Sequence, residues 1–452
     1  MKKRTNEFYP PQTGYGGGDM VEKQSKLVRG LTLATMFTLI TGAMVGMAWA
    51  VLANVMLDRA GPAIGLSIFL AAVFSLFIGL CYAELCSAMP RAGGEYIYVR
   101  RGLGNFSGFF AGWILILAYA AMMPGECIIL GKLIHGIQPS FSPSITGAAI
   151  AVFFTVVNLL GVRLSGRIQF IFTLILFVGI FIYVMAALPK IELNNFQPVL
   201  GRGWGGVFLM VPLSMLAFMG FDILPQAAEE VNAPIRKMVF LIPASILVVA
   251  VFYIAVMMAN AGLAPWENMA KSTAEIPILD TVKIALGEKG VIIILAAGIC
   301  GLLTTMNAFM MGGSRLIMAM AKDGEIPTIF SFVHQRFHTP SVALIFLGIM
   351  GILGSYFTEL IALFDTAASA VLICYVLVTV TVIALRRKEP DMERPYKIAL
   401  YPLIPILALI SIIPTWLISM TLLKPWSLYI FVGWIVLGIL YFLILRRGQS
   451  KN

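Results

Sequence analysis

Thr41–Gly42–Ala43–Met44–Val45–Gly46 falls near the middle of one apolar stretch of the chain. Phe218–Met219–Gly220–Phe221–Asp222, followed by Pro225, falls inside another. In hydrocarbon, backbone that leaves the helix is tolerated only where protein or a water-filled cavity surrounds it. Glycine clusters of this kind therefore mark either close helix packing by small residues or an unwound segment. An unwound helix presents free N–H groups at one half-helix end and free C=O groups at the other. The first attracts a carboxylate and the second an ammonium group or cation. A zwitterion fits between two such breaks.

The rest of the chain places these stretches in a bilayer. Of 452 residues, 60% are hydrophobic and 12% charged, against about 25% charged in soluble domains. Such a chain has too little polar surface to cover itself in water. Stretches of about twenty apolar residues cross about 30 Å of hydrocarbon as helix. Twelve are present, at 31–57, 65–88, 106–134, 145–161, 168–188, 205–224, 238–262, 290–320, 341–357, 361–385, 400–422 and 427–445. The fourth and ninth are short. The two glycine clusters thus occupy the first and sixth spans, matching places in two five-helix halves. That is the pattern of inverted-repeat transporters, and it favours unwinding over simple packing.

Residues 1–30 differ: they are polar, open with Lys2, Lys3 and Arg4, and read as a mobile tail with an amphipathic end near Val21–Gly30. No secretory signal is evident, since the first apolar segment is too long and lacks a clear cleavage site. With both termini on one side, that side carries 24 of the 32 Lys and Arg residues and the other 8. The bias places both termini in the cytoplasm. It also accounts for the net charge of +10, which is then no sign of nucleic-acid binding. The five cysteines lie in apolar stretches without a CxxC pair or His/Cys cluster. They read as free thiols, with no disulfide framework and no metal site. His334 and His338 are four apart but lack a third ligand.

Carboxylates within or at the ends of spans must face a cavity, a partner or an interface. They are Glu84, Glu126, Asp222, Glu229, Glu230 and Asp365. Glu229 and Glu230 read as structural ion-pair partners of Arg236 and Lys237. Glu126 follows Pro124–Gly125, which is expected to kink the third span; it is either a vestibule carboxylate or one bonded to a neighbouring helix. Asp222 follows the second break directly. Thr304–Thr305–Met306–Asn307 offers oxygen ligands suited to sodium, although hydrogen bonding between helices is the favoured reading.

Three segments carry a family resemblance. They are Tyr82 to Tyr98, which contains Pro90–Arg91–Ala92–Gly93–Gly94–Glu95–Tyr96; Phe218–Asp222 running into Ala228 to Arg236; and Asn307–Ala308 through Gly313–Ser314–Arg315 to Lys322–Asp323–Gly324. Pro390 to Tyr396 is a weaker echo. The chain resembles the amino acid–polyamine–organocation permeases from span one to beyond span ten. The resemblance implies an all-helical membrane fold of about twelve spans. In it a 5+5 inverted repeat (halves at 31–188 and 205–386) is followed by two additional helices at 400–445 and a tail at 446–452. It implies a substrate site between spans one, three, six, eight and ten. There the substrate carboxylate meets the break at Thr41, Gly42, Ala43, Val45 and Gly46. The amino group meets carbonyls at Phe218, Gly220 and Phe221, with Phe218 and Phe221 as aromatic gates. Asp222 and Asn307 complete the candidate binding set. Glu126, Tyr96, Thr304 and Thr305 are candidates for gating or coupling, and Tyr96 with Gly93–Gly94–Glu95 is expected on the cytoplasmic side. Two departures stand out. Where family members often have a third glycine in span one, this chain has Ala48, then Trp49. Where some proton-coupled members have a lysine in span five, it has Leu176.

The expected function is secondary transport of an amino acid across the plasma membrane by alternating access, as symporter or exchanger. The coupling ion is H+ or Na+, with no other cofactor. An amine or polyamine permease is the transport alternative, and a substrate-binding membrane receptor the non-transport one. A channel is disfavoured by the lack of filter-like loops. An enzyme or ATP-driven pump is disfavoured by the lack of a Walker loop or HExxH. Substrate identity and oligomeric state are left open.

Overall fold

The structure, a computed structural model, describes residues 27–46, 48–272, 276–356 and 360–449. Most of the expected tail, residues 1–26, and the end of the chain, 450–452, lie outside the described residues. Among those described, regular structure is helical apart from an isolated parallel bridge between Leu31 and Val231.

Helix α1 (Leu33–Met44) begins with a reciprocal cap: Thr35 N donates to the Thr32 hydroxyl while Thr32 N donates to the Thr35 hydroxyl. Two otherwise unpaired amides are thereby satisfied. The helix ends at Met44, and after Val45–Gly46 the chain resumes helix as α2 (Ala48–Val51) and α3 (Ala53–Ala60). Helix α4 (Ile64–Ala88) leads into a turn at Gly93 (φ +102°) and Gly94 (φ +36°). Only glycine takes such angles without penalty, and the turn starts the ten-residue helix α5 (Gly94–Leu103). Helix α6 (Asn105–Ile137) runs on through Pro124. Then follow α7 (Pro143–Leu159) and α8 (Val162–Ala187).

The second interruption separates α9 (Gly203–Leu216) from the short α10 (Ile223–Ala227). Beyond it come α11 (Ile235–Val239), α12 (Leu241–Leu263), α13 (Trp266–Ala270) and α14 (Ile278–Leu286). The 35-residue α15 (Glu288–Lys322), α16 (Ser341–Gly354), α17 (Leu360–Lys388), α18 (Leu403–Leu422) and α19 (Pro425–Gln449) complete the chain.

Among the described residues, nine helical runs are long and apolar enough to cross a membrane. Three shorter apolar helices, α7, α9 and α16, fall on the fourth, sixth and ninth expected stretches. Helix α6 is wholly buried along its apolar window, whereas α8 and α19 are mostly exposed. The exposed faces carry side chains such as Phe181, Ile171, Ile444 and Leu440. Exposed apolar faces of this kind suit lipid, so α6 and α15 form the interior and α8, α18 and α19 the periphery.

Three local readings change. Leu27 packs on Ala92, Met318 and Val333, and the Gly30 and Leu31 amides donate to Glu230 O, so the end of the tail is docked on the body. Helix α19 continues to Gln449, past the expected start of the C-terminal tail. Glu230 pairs with neither Arg236 nor Lys237. It makes a two-pronged bond with the buried Arg315 at 2.7 and 3.1 Å, and Glu229 accepts the Ala92 amide. The reason lies in the register of α15, which brings a fully buried guanidinium opposite Glu230, while Arg236 turns to Pro395 O. All five cysteines are buried and unpaired.

Candidate functional site

The two breaks meet. Gly220 has φ +135°, and a Cβ there would stand 2.7 Å from Ala43 Cβ and 2.9 Å from Met44 N. Only a residue without a side chain lets the α9–α10 junction press against the end of α1.

Around this point the backbone has left the helical pattern. Phe218 N and Met219 N donate to Met215 O and Leu216 O; Ile223 N and Leu224 N donate to Gly220 O and Phe221 O. These are turn bonds. No backbone amide among the described residues donates to the carbonyls of Ala217, Phe218 or Met219. On the α1 side, carbonyls are held by side chains. Thr304 and Thr305 hydroxyls both donate to Gly42 O at 3.1 Å, Tyr253 OH to Met44 O at 3.0 Å, and Trp49 Nε1 to Gly46 O at 2.8 Å. Four donors from α2, α12 and α15 thus fix the shape of the first break.

A cavity of about 50 Å³ opens where the breaks meet. Of the candidate residues, Ala43, Gly46, Glu126 and Thr305 line it, together with Ala217 and Met219 from the second break. The remaining wall is apolar, and includes Met122, Ile129, Leu216 and Phe364. Glu126 is buried. Its Oε1 would be 3.0 Å from a Cβ on Gly46, and its Oε2 has no hydrogen-bond partner among the described residues. An unpaired buried oxygen beside a cavity is available to a bound group.

The other candidates take supporting places. Thr41 and Val45 are buried without lining the cavity. Phe218 packs on Tyr253, ring centroids 6.1 Å apart. Phe221 stacks on Tyr375 at 5.1 Å and meets Tyr82 edge-on at 5.2 Å. Asp222 accepts from Gly220 N at 2.8 Å and from Tyr119 OH. Asn307 lies elsewhere, in a buried network with Asn158, Ser165 and Gln169 that ties α15 to α7 and α8. Thr304, Thr305 and Asn307 are therefore engaged in bonds between helices. Leu176 sits beside the first break: a Cβ on Gly301 would stand 3.4 Å from it and 3.0 Å from Gly46 O.

Tyr96 lies well away from the cavity. Its hydroxyl donates to Asp323 and accepts from Arg100 at 2.6 Å, and Arg100 also pairs with Asp323. Burial, and then the Asp323 carboxylate, push the Tyr96 phenol upward. On the opposite side a second cavity of about 130 Å³ is lined by Arg59, Asp365 and Lys424. It shares Leu52, Leu213, Leu216 and Phe364 with the first, so these four half-buried side chains form the partition.

Sequence reasoning missed Tyr253, Tyr119 and the apolar wall, and singled out Trp49 only as a departure from the family pattern. Tyr253 carried a signal, because a tyrosine hydroxyl in an apolar span needs a partner. Met122, Ile129 and Phe364 carried none: an apolar residue in a span reads alike whether it faces lipid or a cavity.

The amino acid permease family matches residues 31–444. The branched-chain amino acid permease BcaP of Bacillus subtilis (strain 168) is 30% identical over 432 residues, 91% of each chain. The methylthioribose transporter of the same organism is 29% identical over 456 residues, 95% of this chain and 96% of its own. The cationic amino acid transporter 4 of Mus musculus is 28% identical over 391 residues, 80% of this chain and 60% of its own.

Proposed function

This chain belongs to the amino acid permease family, a family of membrane transporters rather than enzymes, and from that premise we propose that it carries a neutral amino acid with an apolar side chain by alternating access. The carrying observation is the cavity where the two breaks meet. The unpaired carbonyls of Ala217, Phe218 and Met219 suit an ammonium group, and the first break at Ala43–Gly46 lies opposite to take the carboxylate. The apolar wall of Met122, Ile129, Leu216 and Phe364 suits an aliphatic or thioether side chain, since burying apolar area against it is favourable. Two relatives are named for branched-chain amino acids, in keeping with that wall.

The protein is read as a plasma-membrane carrier with both termini in the cytoplasm, on the strength of the 24-to-8 charge bias. The Tyr96 side then faces the cytoplasm and the Asp365 side the exterior. The two five-helix halves are assigned to 31–188 and 205–386. Glu126 favours a second reading. A carboxylate in the cavity also suits a cationic side chain, and several relatives are named cationic amino acid transporters.

The test is counterflow in proteoliposomes. Labelled L-leucine is expected to exchange saturably with leucine, isoleucine and methionine. L-arginine and isopentylamine, which lacks the carboxylate, are expected to compete weakly. Equal competition by isopentylamine would identify an amine permease, and preference for arginine the Glu126 reading. Specific binding without any exchange would point to a receptor.

A further inference from the structure

Beneath the second break, away from the Asp365 cavity, lies a buried polar cluster that substrate contact does not use. Glu95, at the start of α5, is fully buried. One of its oxygens accepts from Gln226 Nε2; the other makes no well-formed hydrogen bond among the described residues and has the Tyr82 hydroxyl as its polar neighbour. Gln226 lies in α10, four residues after Asp222, which caps the start of that helix. Gln226 Oε1 and the Tyr375 hydroxyl are likewise buried and, among the described residues, without a hydrogen-bond partner. Asp222, also fully buried, is bonded to the amide of Gly220 at the break itself.

Several titratable groups around Glu95 interact with it electrostatically. They are Tyr82 and Cys86 from α4, Tyr98 from α5, Tyr119 from α6, Asp222 from the break just before α10, and Cys374 and Tyr375 from α17. None of these is cationic. Burial, and then the Asp222 carboxylate, push the Glu95 carboxyl well above the usual carboxylate range. Two carboxylates without a cation, out of water, do not both stay ionised.

We propose that Glu95 and Asp222 form the site of a co-transported proton, held by the pair while α5 is closed on α10 and released to the cytoplasm from Glu95 when they part. The geometry supplies the route. A Cβ at Gly94 would stand 2.9 Å from Pro225 Cβ and 3.0 Å from Gln226 Nε2, so α5 is pressed on α10 and shields Glu95. Inward opening has to separate them, and that wets Glu95. Asp222 reads the substrate end through Gly220, whose amide moves with the break. One proton enters from outside, resides on one carboxyl of the pair and leaves to inner water; no other bond changes. The inference rests on the transport reading above and adds the ion that drives it.

The test compares wild type with Glu95→Gln in proteoliposomes, using L-leucine and an entrapped pH dye. With an inward gradient of about one pH unit, wild type is expected to accumulate leucine about tenfold, since one pH unit is a factor of ten. Glu95→Gln is expected to equilibrate leucine without accumulating it, to lose leucine-driven proton entry, and to keep counterflow near the wild-type rate. Leucine-driven proton entry in Glu95→Gln equal to wild type would overturn the proposal, as would wild type that transports leucine without moving protons. Equal loss of counterflow and accumulation, with a lower unfolding temperature, would mean a structural role and would also overturn it. Glu95→Asp keeps the acid; proton coupling with a shifted pH midpoint supports the proposal, and an unshifted one counts against it.

A substrate-free measurement separates failure of this idea from failure of the leucine reading. Infrared difference spectra of the purified protein between about pH 5 and about pH 8 should show a protonated-carboxyl band in wild type that Glu95→Gln removes. A band unaffected by that substitution defeats the proposal whatever the substrate proves to be.

Discussion

The cavity is closed by different materials on its two sides. Toward Asp365 the partition is one layer of half-buried apolar side chains, Leu52, Leu213, Leu216 and Phe364. Toward Tyr96 it is thick and made of paired charge. Glu84 is held by Arg386 at 2.7 Å, by Arg394 at 3.4 Å and by the Ile398 amide. Glu230 is held by Arg315, Arg101 pairs with Glu389 at 2.5 Å, and Arg100 pairs with Asp323. These pairs tie α4, α5, α15 and the segments after α10 and α17 to one another. Apolar contact is non-directional, so the first partition can slide or re-pack at small cost. Buried ion pairs have definite geometry, and separating one strands a charge. On the alternating-access reading proposed above, one side yields while the other holds, and the ion-paired Tyr96 side is the more firmly closed.

The comparison breaks most completely at the point between the two closures. Gly220→Leu puts a side chain where Ala43 and Met44 already stand and demands φ +135° of a residue that avoids it. Leucine exchange should be abolished while folded protein still reaches the membrane. Wild-type exchange in that variant would remove the junction from the site.

Glu230→Gln is expected to have the next largest effect. It leaves the Arg315 guanidinium buried beside a neutral amide, a loss of about 3–5 kcal/mol for breaking a buried pair. Unfolding temperature in detergent should fall by several degrees. The paired replacement of Glu230 and Arg315 by methionine should recover part of it, because both charges are then gone. An unchanged melting temperature in Glu230→Gln would show that the pair does not hold the thick side.

Leu216→Ala tests the thin side. Its half-buried side chain sets the expected loss toward the low end of the about 2–5 kcal/mol seen for core leucines. Access should change more than stability. A cysteine at Thr305 should react faster with an external thiol reagent in the Leu216→Ala background. Equal labelling rates would mean that the partition lies elsewhere.

Tyr96→Phe should be the mildest change. It removes a hydrogen bond to Asp323 contributing about 0.5–1.5 kcal/mol, and leaves a partly exposed Arg100–Asp323 pair contributing about 0–1 kcal/mol. Melting temperature should hardly move, while leucine exchange should speed up slightly if loosening that closure limits turnover. A drop as large as that of Glu230→Gln would contradict the ranking of half-exposed against buried pairs.

Spans, breaks and acids were legible in the sequence because each is local chemistry. A run of apolar residues must be helix in hydrocarbon, and a glycine cluster inside such a run has few other uses. The interruptions at Gly46 and Gly220 could therefore be found without coordinates, although Thr41–Met44, expected in the first break, stay within α1. A carboxylate in a span announces a partner or cavity, so Glu84, Glu126, Asp222 and Glu230 were visible as residues that needed one, whereas Glu95 read only as part of a cytoplasmic loop.

Which partner each acid found was decided only by the tertiary structure. Glu230 took Arg315, 85 positions away in sequence, over the nearby Arg236. Asn307 was drawn into a network with Asn158 and Gln169 rather than to the cavity. Leu216 and Phe364 became a partition, and Tyr253 a support for the Met44 carbonyl. Burial in hydrocarbon sets the demand that every polar group be paired, and that demand is written in composition. The identity of the pair depends on helix register and on which faces meet, quantities set by packing across the whole bundle.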